Sequence, residues 1–139
     1  MEVVKVKIMK KILVILLLLQ STIVFGKWSL VSEADDYRGL YIDLSTLKKI
    51  NAYYEIWILM DLEKPMEGSS FTKNIPIKSF KERIRISCLE DKVKNLTIVD
   101  YSERMGNGEI LNTLDEGEWR YPNPDSVIYQ VMKKVCKQQ

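Results

Sequence analysis

The sequence predicts an α+β fold, a single antiparallel β-sheet with one C-terminal amphipathic helix packed on it. Three observations predict it. Segments of alternating apolar and polar residues follow one another across short polar turns, with no helical pattern of crossover length between them; that argues against alternating βαβ units. Only the last segment settles into a helical period. Two cysteines, Cys88 and Cys136, fall on the apolar stripes of one strand and of that helix.

The chain opens with a leader. Lys5, Lys7, Lys10 and Lys11 precede an apolar run from Ile12 to Leu19, and the polar trio Gln20-Ser21-Thr22 follows. Val24 and Gly26 then stand at −3 and −1 of a cleavage point between Gly26 and Lys27. This is the pattern of a secretory signal peptide over residues 1–26, with Met9 as an alternative start to Met1. Ile12 to Gly26 is 15 residues, short of the roughly 20 that span a bilayer. The mature domain, residues 27–139, is therefore expected without a transmembrane anchor. It is expected in the periplasm, on the cell surface or secreted. The leader has no cysteine to carry a bacterial lipid anchor.

Strands are predicted at Trp28–Ser32 and Leu40–Leu44, with Asp35-Asp36 as the turn between them. A short helical turn is expected from Ser45 to Ile50. In the next strand Tyr54, Ile56, Ile58, Met60 and Leu62 alternate with Glu55, Trp57, Leu59 and Asp61. Pro65 and Gly68-Ser69-Ser70 mark a loop, after which Phe80, Ile84, Ile86 and Cys88 alternate with Lys81, Arg83, Arg85 and Ser87. Further strands are predicted at Val93–Tyr101, Glu109–Thr113 and Glu118–Tyr121. Met105-Gly106-Asn107-Gly108 and Asp115-Glu116-Gly117 supply the turns. Past Asn123-Pro124-Asp125, Val127, Ile128, Val131, Met132, Val135 and Cys136 recur on one helical face. Asn123 or Asp125 is the expected cap, with Pro124 in the first turn.

Two cysteines in an exported domain allow a single pairing, and a disulfide is the expected state. A metal or redox thiol pair is the alternative, disfavoured by the lack of histidine and of any C-x-x-C spacing. The bond would staple the terminal helix to the sheet.

Composition narrows the function. The whole chain carries +2, but the 113 residues after the leader hold 17 Lys+Arg and 18 Asp+Glu. Without bulk positive charge, nucleic acid is not an expected partner. No histidine occurs, which excludes histidine triads and histidine–zinc sites. Carboxylates such as Asp35, Asp36, Asp43, Asp61, Asp100, Glu103, Asp115, Glu116 and Glu118 show no paired spacing, and no calcium-loop motif is present. No catalytic residue, cofactor or metal is expected. Asn95-Leu96-Thr97 matches a glycosylation triplet but lies inside a predicted strand.

One segment points to binding. Lys73, Lys78, Lys81, Arg83 and Arg85 lie among thirteen residues with the single acid Glu82. Lys81, Arg83 and Arg85 share the strand face opposite Ile84 and Ile86, a basic row suited to an acidic partner. The same row also suits a solvated or edge-protecting face. The aromatics Trp28, Tyr41, Trp57, Tyr101 and Trp119 are mainly core candidates, with Trp57 also placed to join an interface.

The order of these landmarks resembles the surface-adhesin protein E family of bacterial exported proteins. The resemblance runs from Trp28 through Tyr41-Ile42-Asp43, Trp57, the basic strand ending in Cys88, Tyr101, Met105-Gly106-Asn107-Gly108 and Trp119 to Val135-Cys136. It implies an antiparallel sheet with a disulfide-bonded C-terminal helix, and adhesion to host extracellular-matrix proteins at the bacterial surface. The expected function is thus an exported, non-enzymatic binding module. The alternative is a periplasmic structural or accessory protein without a host ligand. Self-association into a homo-oligomer stays open.

Overall fold

The computed structural model describes residues 1–18 and 28–137. Helix α1 covers Glu2–Leu18, and no helix among the described residues is long and apolar enough to cross a membrane. The expected cleavage point at Gly26 and Lys27 lies outside the described residues. Six strands follow: β1 (Trp28–Ala34), β2 (Tyr37–Ile50), β3 (Tyr53–Met66), β4 (Ile77–Ser87), β5 (Lys92–Tyr101) and β6 (Ile110–Leu114). They form one sheet in chain order, every neighbouring pair antiparallel. Helix α2 (Val127–Cys136) closes the domain.

The connections follow their chemistry. Asp35-Asp36 forms a two-residue hairpin turn, and Asn51-Ala52 forms another with Asn51 at φ 55°, a left-handed conformation that asparagine tolerates better than most residues. Ser45–Ile50 is not helical. Lys48, Lys49 and Ile50 pair with Glu55, Tyr54 and Tyr53, and the register slips between Asp43 and Lys48. Residues 44–47 are the inserted stretch. The Asp43 carboxylate accepts hydrogen bonds from the Ser45 amide and hydroxyl, and the Thr46 hydroxyl donates to the Asp43 carbonyl. These local bonds imitate a helical turn while the strand bulges and continues.

Two further expectations are corrected. Glu118–Tyr121 is no strand, because only Arg120 bridges to Val93. The Gly117 amide donates to the Asn95 carbonyl, so three steps along this segment meet two along β5, and a continuous ladder cannot form. The cap of α2 is Ser126, whose hydroxyl accepts from the Tyr129 amide. Asn123 instead turns the chain before it, accepting from the Asp125 amide, and Pro124 lies in that turn.

The core lies between α2 and the inner face of the sheet. Leu40, Ile42, Ile56, Ile84, Ile86 and Val93 from the strands meet Val131, Met132 and Val135 from the helix. Cys88 directly follows β4, and its disulfide to Cys136, with Cα atoms 5.7 Å apart, fixes the end of α2 to the sheet.

Candidate binding site on the open sheet face

The helix covers one face of the sheet, and the other face positions Lys81, Arg83 and Arg85. Antiparallel register sets them in rows that run across the strands. Gly39, Asp61, Ser79 and Tyr101 form one row; Tyr41, Leu59, Lys81 and Val99 the next. Asp43, Trp57, Arg83 and Thr97 follow, then Lys48, Glu55, Arg85 and Lys94.

The first row is covered by a short 3₁₀ turn, Arg104–Gly106, from the β5–β6 connection. Asp61, only 4% exposed, accepts from Arg104 Nη1 at 3.1 Å and from the Met105 amide at 3.0 Å. Ser79 Oγ donates to the Glu103 carbonyl at 2.5 Å and accepts from the Gly106 amide at 2.8 Å. Met105-Gly106-Asn107-Gly108 thus makes a hairpin connection that folds back over the sheet. This lock, built from buried polar groups with all partners supplied, has no signature in the spacing of the sequence.

The second row is filled by Lys81. Its ammonium lies 5.0 Å from the Tyr101 ring centroid and 5.9 Å from that of Trp28, and donates to the Gly106 carbonyl at 3.3 Å. Leu59, its cross-strand partner, is fully buried. Lys81 is therefore held in an aromatic cage. Trp28 and Tyr101 belong to this cage on the open face, away from the helix-side core.

The fourth row is all charged, with Glu55 between Lys48 and Arg85, and Lys94 beyond. Arg85 donates from Nε at 2.9 Å and from Nη2 at 2.5 Å to one oxygen of the buried Glu55. Lys94 is paired with Glu116, which keeps the Glu116 carboxyl below the usual range through that hydrogen bond and charge. Beyond this row Trp119 packs on Tyr53 at 5.4 Å between centroids. Of the remaining basic candidates, Lys78 pairs with Glu103 at 3.1 Å and Lys73 with Glu109 at 3.7 Å.

The third row stays uncovered. Arg83 is exposed, and among the described residues it has no ion pair or hydrogen bond through its guanidinium. It is the one member of the five-residue basic group in that state. Beside it Trp57 is half-buried, and the two line a cavity of about 250 Å³. The bulge of β2 forms the wall, contributing Ser45, Thr46 and Lys48, and the Trp57 amide donates to Thr46 Oγ1 at 3.0 Å to hold the wall in place. Sequence reasoning singled out Trp57 and Arg83 but missed Ser45, Thr46 and Lys48, because their stretch read as a helical turn.

A separate polar cluster lies on the inner face of β4 and β5. Asn95 Nδ2 donates to Glu82 at 2.7 Å, and Arg120 Nη1 donates to the Asn95 side-chain oxygen Oδ1. Burial raises the Glu82 carboxyl above its usual range, against the lowering pull of Arg120 and the Asn95 hydrogen bond. The Asn95 amide is committed to this network and only 8% exposed, an unsuitable acceptor for a glycan.

The fold and this face define a class: a disulfide-stapled α+β domain whose helix-free sheet face, covered in part by the β5–β6 connection, carries an arginine unpaired among the described residues beside an indole. The chain belongs to the surface-adhesin protein E family, whose model matches residues 28–137. In fold it is similar to protein E of Haemophilus influenzae, at 14% identity and a TM-score of 0.59, over 83% of this chain and 87% of that one. Protein E from non-typeable Haemophilus influenzae gives 16% identity and a TM-score of 0.58, over 84% and 79% of the two chains. Identities this low show the shared fold. No curated protein matches the sequence. Membership makes the chain a surface adhesin-like protein, which points to a non-enzymatic role and to an exported or cell-surface location.

Proposed function

We propose that this protein is exported through cleavage between Gly26 and Lys27 and acts as a surface adhesin. Its open sheet face binds an acidic segment of a host extracellular-matrix protein at Arg83 and Trp57. One observation carries the reading: Arg83 is exposed and has no counter-charge among the described residues, next to a half-buried indole, while Lys73, Lys78, Lys81 and Arg85, the other four of its basic group, each have a partner within the chain. Arginine and tryptophan are the side chains that most often dominate the energy of a protein interface. Family membership supports the same role.

The test is adhesion of intact cells to a matrix-coated surface, comparing cells that produce the wild type with cells that produce Arg83→Glu at equal level. The proposal expects protease added outside to remove the protein, the exported form to begin at Lys27, and the charge reversal to abolish the adhesion it confers. A protein shielded from outside protease, or undiminished adhesion by Arg83→Glu, would overturn it.

A further inference from the structure

The cavity at the β2 bulge selects its ligand more narrowly than charge alone. Its acceptors and small donors are largely committed: the Ser45 and Thr46 hydroxyls donate to Asp43, and one Glu55 oxygen takes two bonds from Arg85. Its strong donors are free. Arg83 brings five N–H groups in a planar fork and Lys48 brings three, and neither has a partner among the described residues. The indole N–H of Trp57 likewise makes no bond within them. A planar anion fits this inventory, since guanidinium matches carboxylate in shape as well as charge.

Size and surface then restrict what carries the anion. A cavity of about 250 Å³ falls below the roughly 300–1,000 Å³ of sites for drug-sized ligands, so it takes one ring-sized unit. Half-buried Trp57 supplies a flat apolar wall against which a ring packs. An aspartate or glutamate side chain would satisfy Arg83 yet leave that wall uncovered.

We infer that this cavity binds one carboxylated sugar unit, a uronate, with its carboxylate on Arg83 and Lys48 and its ring against Trp57. The inference rests on the reading of this face as a binding surface. It adds a carbohydrate ligand class to the protein partner proposed above.

The chain has three tryptophans, so the indole N–H signals of the purified, oxidised protein report the site directly. Titration with tetragalacturonate should shift the Trp57 signal to saturation while those of Trp28 and Trp119 hold still. The methyl ester of the same tetrasaccharide, equal in shape but uncharged, should leave it unmoved. By isothermal titration calorimetry with the same tetrasaccharide, Arg83→Gln should weaken binding at least tenfold and Trp57→Leu should abolish it, whereas Trp57→Phe, which keeps a ring, should retain part of it. The dispersed indole spectrum of each variant verifies folding.

Equal shifts with the methyl ester, unchanged binding by Arg83→Gln, or shifts confined to Trp119 would overturn the inference. A polyglutamate peptide separates the two readings. If the peptide binds through Arg83 and the uronate does not bind, the sugar site is wrong and the acidic-protein surface stands. If neither binds, both readings fall.

Discussion

Removing the disulfide is the sharpest perturbation of this fold. Cys88 and Cys136 are 48 positions apart, and on the chain-entropy model closing a loop of that length stabilises the folded state by roughly 4 kcal/mol. With a urea m-value of about 2 kcal/mol/M for a domain of this size, the midpoint should fall by about 2 M. The bond lies at the C-terminal end of α2, whereas the helix is held along its length by Val131, Met132 and Val135 and capped by Ser126. The Cys88→Ala/Cys136→Ala protein should therefore keep its helix docked without denaturant. Urea melts of the double variant and the oxidised wild type, with hydrogen exchange on α2, measure both quantities. A midpoint change below about 0.5 M, on the same scaling, would refute the loop-closure argument. Loss of protection confined to α2 would show that the bond holds the helix in place and does little to the unfolded chain.

The neighbours of Arg83 should behave as structural residues. Arg85→Ala strands the buried Glu55 carboxylate and should cost about 3 kcal/mol in a urea melt, whereas Arg83→Ala should cost less than about 0.5 kcal/mol. Gly106→Ala puts a methyl 2.1 Å from Lys81 Cε at φ +68°. It should destabilise by at least about 1 kcal/mol for the left-handed backbone alone, and a Lys81→Ala background should relieve the remainder, as a double-mutant cycle reads out. Burial raises the Glu82 and Asp100 carboxyls, so the folded state binds their protons more tightly than the unfolded chain does. Stability from these two groups is therefore full below their ordinary values of 4.5 and 3.8, and falls as pH rises from there through the raised values. Glu82→Gln should accordingly be more stable than wild type at pH 7 and lose that advantage as pH drops below 4.5, measured by melts across the range.

The sheet was legible where period-two alternation persisted, as in β3, β4 and β5, and the α2 stripe was legible through Val131, Met132 and Val135 on one face. The pairing of Cys88 with Cys136 needed no structure, since two cysteines allow one bond. Alternation failed at the β2 bulge, where hydroxyl and carboxylate side chains bond to nearby backbone and leave no periodic trace. It failed again at Trp119, whose segment meets β5 at mismatched steps.

The site was legible only in part. Sharing one strand face made Lys81, Arg83 and Arg85 look equivalent, yet their states depend on what stands opposite each. Glu55 meets Arg85, the Trp28 and Tyr101 rings enclose Lys81, and nothing described reaches Arg83. A replacement of all three by glutamine would thus disturb the fold as well as the surface, and single substitutions are the informative ones.

The most direct test is the affinity of the purified protein for matrix protein immobilised on a sensor, with Arg83→Gln set against the paired lysines in Lys73→Gln and Lys78→Gln. Arg83→Gln should lose at least about 2 kcal/mol, near thirtyfold, while the two lysine variants should stay within about threefold and wild-type affinity should fall as salt rises. Equal losses from all three, or an Arg83→Gln protein that binds like wild type, would contradict the proposed role of Arg83.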